Sequence, residues 1–206
     1  MDYTIAQMSP LRFAGAVSAA AMFVLGASLT ALAQARPATA PEDPFAAHRW
    51  HVEFALQSAL EAWNYNGSHE ELYGVQEGVA YGLRQGLVLT ANQRTYYVSQ
   101  RKNDTWVIGL TSGLRGRVYR RGRASVVWQF ELGVSDAAIA TPLRGTRFNY
   151  LALGGGGVVV RLNPRVHLDT SLGVIHISNA SLKGPNRNPD IEAIGITMGL
   201  IVRFVD

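Results

Sequence analysis

Between residues 49 and 205 the chain alternates apolar and polar positions in runs of strand length, divided by turn-forming residues. In "WHVEFALQSALEAW" Trp50, Val52, Phe54, Leu56 and Leu60 share one side, and His51, Glu53, Gln57 and Glu61 share the other. That is the two-residue period of a strand. The Ala, Leu, Glu and Gln of this run are good helix formers, so a helix is the rival assignment, and the alternation favours a strand. "VVWQFELGV" sets Val126, Trp128, Phe130, Leu132 and Val134 against Gln129 and Glu131. "WVIGLTSGLRGRVY" sets Trp106, Ile108, Leu110, Leu114 and Val118 against Gly109, Thr111, Arg115 and Arg117. Two less regular runs lie between residues 75 and 101. The run at 147–162 holds four consecutive glycines, where close packing or sharp curvature is expected. Two more runs follow, at 165–178 and 191–205, giving about eight strands joined mostly by short connections.

Such alternation serves two architectures. A soluble sandwich buries the apolar side, whereas a membrane barrel turns it to lipid and keeps polar side chains within. Three features favour the barrel. Arg12 precedes a long apolar stretch ending in Ala31-Leu32-Ala33, which reads as a signal peptide over residues 1–33, cleaved before Gln34. A transmembrane anchor is the alternative, but the many Ala, Gly and Ser residues and the small-residue end favour cleavage. The chain has no cysteine, and its runs match the roughly 9–11 residues that cross a bilayer as a tilted strand. Residues 34–48 then read as a Pro-rich linker and 49–206 as the barrel. Eight strands make a barrel filled by side chains, with no channel. The chain finishes Phe204-Val205-Asp206, so its aromatic stands near the end rather than at it.

Composition adds little more. A net charge of +4 and 17% charged residues suit an anionic surface without identifying it. Arg120, Arg121 and Arg123 form only a short cluster between two strands, too sparse for a nucleic-acid arm, and no nucleic-acid partner is expected. His48, His51, His69 and His167 lack metal-ligand spacing with carboxylates, so no metal site is expected.

The chemistry gathers in "IHISNASLKGPNRNPDIE", residues 175–192. Val166, Leu168, Thr170, Leu172 and Val174 occupy one face of their strand, and His176 and Ser178 continue it. Counting back by twos along the last strand, from Ile194, puts Glu192 on the corresponding face, with Asp190 after it if the strand extends. Antiparallel pairing across the intervening loop then brings Glu192 level with His176. A serine hydroxyl is a weak nucleophile until a base takes its proton, and histidine is the base whose pKa lies nearest neutrality. An acid beside it would fix the ring and stabilise the imidazolium. Asn179, Asn186, Asn188 and the loop N–H groups offer donors to a developing oxyanion. A polar rim at headgroup level is the simpler explanation for the same residues.

The segment from His176 resembles the signature of the lipid A 3-O-deacylases, approximately H-x-S-N-A-x-L-x-x-P-N followed by a short turn. His176, Ser178, Asn179, Ala180 and Leu182 match in order, and "TRFNY" at 146–150 is similar to the family's preceding strand. The specific match covers about the last 60 residues of the chain. The resemblance implies an eight-stranded antiparallel barrel of the Gram-negative outer membrane, with its site on the outer, lipid-facing wall. It implies hydrolysis of the 3-O-linked acyl chain of lipid A without a metal or other cofactor. The partners are then lipopolysaccharide of the outer leaflet and the membrane itself, and a homodimer is one arrangement it allows. By position Ser178 is the nucleophile, His176 the base and Glu192 the acid, with a loop Asn at the oxyanion. The loop here is about two residues longer than the pattern, so Asn186 and Asn188 both fit one motif position. Asp190 fits fixed spacing from the histidine, whereas strand face and context favour Glu192. A structural or adhesive barrel that keeps the motif without its chemistry, and a phospholipase using the same triad, are the alternatives.

Overall fold

The computed structural model describes residues 43–63, 69–182, 184 and 188–204. The leader at 1–33 and most of the linker lie outside them. Eight strands follow one another: β1 (Trp50–Glu61), β2 (Glu71–Arg84), β3 (Leu87–Ser99), β4 (Thr105–Arg121), β5 (Ala124–Thr141), β6 (Thr146–Arg161), β7 (Val166–Ser178) and β8 (Ile191–Arg203). Each pairs antiparallel with its sequence neighbour, and β8 returns to β1 to close the barrel. Closure gives every strand two partners, which leaves no open edge and lets backbone groups be satisfied without water. The all-β, eight-stranded antiparallel transmembrane barrel is therefore the observed architecture. The first run is a strand and not a helix.

The alternation sorts as expected on the outer wall. Leu56, Leu110, Phe130, Leu132, Leu172, Ile196 and Met198 all stand exposed on it. Their inward neighbours include Glu53, Gln57, Arg94, Thr111, Arg115, Glu131, Asp169 and Ser171, all buried.

Two buried clusters form the middle of the interior. Arg94 donates from Nη2 to Glu131 Oε2 at 2.7 Å and from Nη1 to Gln57 Oε1 at 2.7 Å. Arg115 grips Glu53 through two bonds of 2.5 and 2.9 Å, and its Nη2 lies 3.6 Å from Asp169. Polarity does not extend through the whole interior. Leu72, Tyr96, Val98, Val107, Leu151, Ile177 and Ile191 pack together at the long-loop end. Phe45, Val88, Val127, Val159 and Ile201 do so at the short-turn end. The charges thus sit between two apolar layers.

Phe45 belongs to the stretch read as linker, and residues 43–48 lie against the short-turn end of the barrel. Phe45 is buried, with the Arg117 guanidinium 5.3 Å above its ring. Asp43 accepts from Arg117 at 2.7 Å, Arg120 at 3.0 Å and Gln85 at 2.8 Å, and the Phe45 N–H donates to it at 3.1 Å. Backbone bonds from His48 to Gly82 and from Gly86 to Phe45 seat the segment against the β2–β3 turn.

Burial alone would raise the pKa of Asp43, but the Arg117 and Phe45 hydrogen bonds outweigh it and hold the carboxyl below its ordinary 3.8. The stabilisation is therefore present above that ordinary value and lost as pH falls through the lower folded one. Asp43→Asn is expected to lower unfolding stability at neutral pH by about 1 kcal/mol, since the group is partly screened by water. Urea midpoints of the two proteins should differ at neutral pH and draw together as pH falls below the ordinary carboxylate range. Equal midpoints at neutral pH would show that the segment is not anchored by this charge.

The glycine run of β6 meets its expectation at two positions. A Cβ on Gly155 would strike the Leu172 carbonyl, and one on Gly157 would strike that of Thr170. Close contact between β6 and β7 depends on both, and β7 carries the residues of interest.

Candidate active site

β7 ends at Ser178, with His176 two residues before it on the outward face. Strand pairing supplies the rest of the constellation. His176 stands directly opposite Glu192 of β8 on one side and Ala152 of β6 on the other, and Ser178 stands opposite Tyr150. The register across β7 and β8 therefore makes the histidine and the glutamate a cross-strand pair, the arrangement that brings side chains closest in a sheet.

The side chains meet accordingly. His176 Nε2 lies 2.9 Å from Ser178 Oγ. On the opposite edge of the ring, Nδ1 lies 3.6 Å from Glu192 Oε1. The second distance is that of an ion pair and longer than a hydrogen bond. With the proton on Nδ1, the ring faces the carboxylate with a donor and the hydroxyl with a lone pair, so Ser178 can donate to Nε2. His176 and Glu192 are about one third exposed, and Ser178 is buried. Outward neighbours Tyr150, Val174 and Ile194 are exposed and apolar or aromatic, so the polar trio is set into an apolar wall. Phe148 meets Tyr150 edge-on at 5.7 Å just beyond Ser178.

After Ser178 the chain turns sharply. Ala180 and Ser181 both have positive φ, 51° and 61°, and Gly184 reaches 87°. Two non-glycine residues in the left-handed region in succession are uncommon and costly. The turn is closed by the Leu182 N–H to the Asn179 carbonyl at 3.1 Å and the Gly184 N–H to the Ser181 carbonyl at 2.8 Å. Asn188 Oδ1 accepts from the Asn179 N–H at 3.1 Å, which ties the far end of the loop back to the end of β7. Asn179 is buried. Asn186 lies outside the described residues.

The structure thus brings together His176, Ser178 and Glu192, with Asn179 and Asn188 next to them. Of the two candidate acids, Glu192 faces the ring directly. Asp190 is also near: one ligand atom from each of His176, Asp190 and Glu192 lies within 4.8 Å of the others, so the three could hold a metal ion. An ion there would occupy a ring nitrogen of His176 and a carboxylate oxygen of Glu192.

Two neighbours escaped the sequence reading. The Ala62 N–H donates to the Glu192 carbonyl at 2.8 Å, fixing the start of β8 against the end of β1. Glu61 and Glu70 also meet at this rim. The only sequence signal for either was that Glu61 shares the inward side of its strand.

No curated protein matches the chain in sequence. Among solved structures, Neisserial surface protein A superposes with a TM-score of 0.60 at 12% identity, over 75% of this chain and 97% of its own. The outer membrane enzyme PagL superposes with a TM-score of 0.51 at 14% identity, over 72% of this chain and 97% of its own. At such identities the likeness is one of fold, that of an outer-membrane β-barrel. The sequence itself carries the relation further: the model of the lipid A 3-O-deacylase (PagL) family matches residues 30–200, and the chain belongs to that family.

Proposed function

We propose that the chain is an outer-membrane serine esterase that hydrolyses the 3-O-linked acyl ester of lipid A, through Ser178, His176 and Glu192 facing the lipid. The observation that carries this reading is the ring of His176, with Ser178 Oγ 2.9 Å from one nitrogen and Glu192 3.6 Å from the other. Family membership supports the substrate. The apolar wall around the trio suits an acyl chain lying along the barrel.

In this reading Ser178 Oγ attacks the ester carbonyl carbon while its proton passes to His176 Nε2. The carbonyl oxygen becomes an oxyanion, met by amide donors from the Asn179 to Asn188 turn. Collapse breaks the bond to the sugar oxygen, which leaves with the proton from Nε2. Water then attacks the acyl-serine, His176 takes its proton, and the fatty acid departs as Ser178 Oγ recovers its hydrogen. Glu192 holds the ring and stabilises the imidazolium that forms twice in each cycle. All three side chains come from one chain, so the chemistry requires no second copy.

Mass spectrometry of lipid A from Gram-negative cells expressing the protein tests the reaction. Loss of a single 3-hydroxyacyl chain is expected. Unchanged lipid A in cells holding the inserted barrel would point to the structural-barrel alternative, and turnover of labelled phospholipid at an equal rate to the phospholipase.

Glu192→Gln tests the acid. Because this carboxylate is partly exposed and at ion-pair distance, we expect kcat to fall by about 10- to 100-fold, less than for a buried acid. KM should change little. Asp190→Asn with the larger loss would make Asp190 the acid.

A further inference from the structure

The strands that run toward the short-turn end share a feature that the proposed hydrolysis does not use. β2 ends on Arg84, β4 on Arg121, β6 on Arg161 and β8 on Arg203. The four that run the other way end on Glu61, Ser99, Thr141 and Ser178. The turns at the short-turn end add Arg123 and Arg165. Among the described residues, the carboxylate set against them at this rim is that of Asp43, which Arg117, Arg120 and Gln85 already engage. Positive charge is therefore in excess at this end. In outer-membrane barrels the short turns face the periplasm.

A cleft opens in this rim between the β4–β5 turn, the end of β6 and the start of β7. Arg120, Arg123 and Arg161 line it together with Ser125 and His167. The Arg161 N–H donates to the Arg123 carbonyl at 2.9 Å, which sets these two arginines beside one another. No carboxylate among the described residues pairs with either. Ser125 and His167 are buried, whereas Arg120 and Arg123 are exposed. Beside the cleft the outer wall is apolar, with Tyr119, Val126, Val158 and Leu162 exposed on it. Trp50 and Phe204 also stand exposed at this end. Aromatic rings gather where hydrocarbon meets headgroups, so the guanidinium groups of the cleft stand at the height of lipid phosphates.

We propose that Arg120, Arg123 and Arg161 bind the phosphate of an anionic phospholipid, whose acyl chains lie along the outer wall of β4 to β6. Guanidinium suits a phosphate because its fork of donors matches two oxygens at once and the bonds are charge-assisted. An anionic lipid fits better than a zwitterionic one, since a choline headgroup would add a cation to a rim already in positive excess. A lipid also fits better than free phosphate, which would gain nothing from Tyr119 or Leu162. His176 lies near the far end of β7, so the cleft and the ester chemistry do not compete. Binding is measured without lipid A and does not depend on the esterase reading.

The full barrel, refolded in a non-ionic detergent, is mixed with phosphatidylglycerol or phosphatidylcholine, and retained lipid is counted by native mass spectrometry. Retention of one phosphatidylglycerol, in preference to phosphatidylcholine, is expected. Arg123→Gln with Arg161→Gln should weaken retention by about tenfold or more. Arg123→Gln alone, on an exposed turn, should weaken it in the same direction if the double variant does not refold. Arg84→Gln, at the same end but outside the cleft, should bind as the parent does. Four outcomes would overturn the proposal. Equal retention of the two lipids would remove the preference for an anion, and unchanged retention in the glutamine variants would remove the cleft. An equal loss in Arg84→Gln would mean diffuse charge in place of a site. Displacement of the lipid by an equal concentration of inorganic phosphate would make the cleft a site for a free anion.

Discussion

Ser178→Ala is expected to leave a folded, heat-modifiable barrel whose release of 3-hydroxyacyl chains from lipid A is slower by roughly 10⁴-fold or more. The hydroxyl is the only group on the outward face within hydrogen-bonding distance of His176 Nε2 among the described residues. In the proposed mechanism its removal takes away the nucleophile and leaves the apolar wall intact, so KM should hold while kcat collapses. The companion variant His176→Ala should lose about as much. The double variant should lose no more than either single one, because nucleophile and base act as a unit. Additive losses would indicate that the two side chains serve separate purposes. Substantial turnover by Ser178→Ala would place the nucleophile elsewhere. Either result is informative only if the barrel has formed, which its shift in gel mobility on heating reports independently.

Glu131→Ala is expected to cost about 3–5 kcal/mol of stability, the range for breaking a buried ion pair from one side. Glu131 accepts from Arg94 at 2.7 Å and Thr111 at 2.6 Å through one oxygen, and from Asn92 at 2.9 Å and Thr90 at 3.2 Å through the other. Alanine leaves all four donors facing a void, and one of them is a guanidinium buried between apolar layers. Arg94 would retain Gln57, which cannot balance its charge. Denaturant unfolding in detergent or vesicles measures the change. A loss below about 1 kcal/mol would mean that water enters the interior and takes over the hydrogen bonds. Replacing Arg94 and Glu131 together by apolar residues of similar volume should recover much of the loss.

The outer wall was legible in the sequence because one physical demand, contact with an apolar surroundings, acts on every second residue of β1, β5 and β8. β2 and β3 were harder to delimit for a reason visible in their packing. Inward positions of β2 carry Gly74, Gly78 and Gly82, which have no side chain to contribute to a pattern. An outward polar pair, Gln93 and Glu77 at 3.2 Å, interrupts the apolar side. The apolar layers at the barrel ends blur alternation further, since Leu72, Tyr96, Ile175 and Ile177 are apolar and inward. His176 and Ser178 could be paired from spacing alone, because two residues along one strand always share a face. Glu192 needed the register across a loop, and the apolar count back from Ile194 supplied it. The Glu61–Glu70 pair and the seat of Phe45 had no such rule. Each depends on where a connection folds back, which no periodicity encodes.

The barrel's seam has a consequence for timing. Glu192 lies on β8, the strand that joins the end of the chain to its beginning, and the bond from Ala62 crosses that seam. In our reading the acid reaches His176 only when β7 and β8 have paired, and the β1 contact steadies it only after the circle is complete. An unclosed chain would carry the serine and histidine without the assembled relay. Full hydrolytic power would therefore arrive with the last step of insertion. A pulse of newly made protein should show ester cleavage lagging behind membrane association, by the interval that sealing the wall requires.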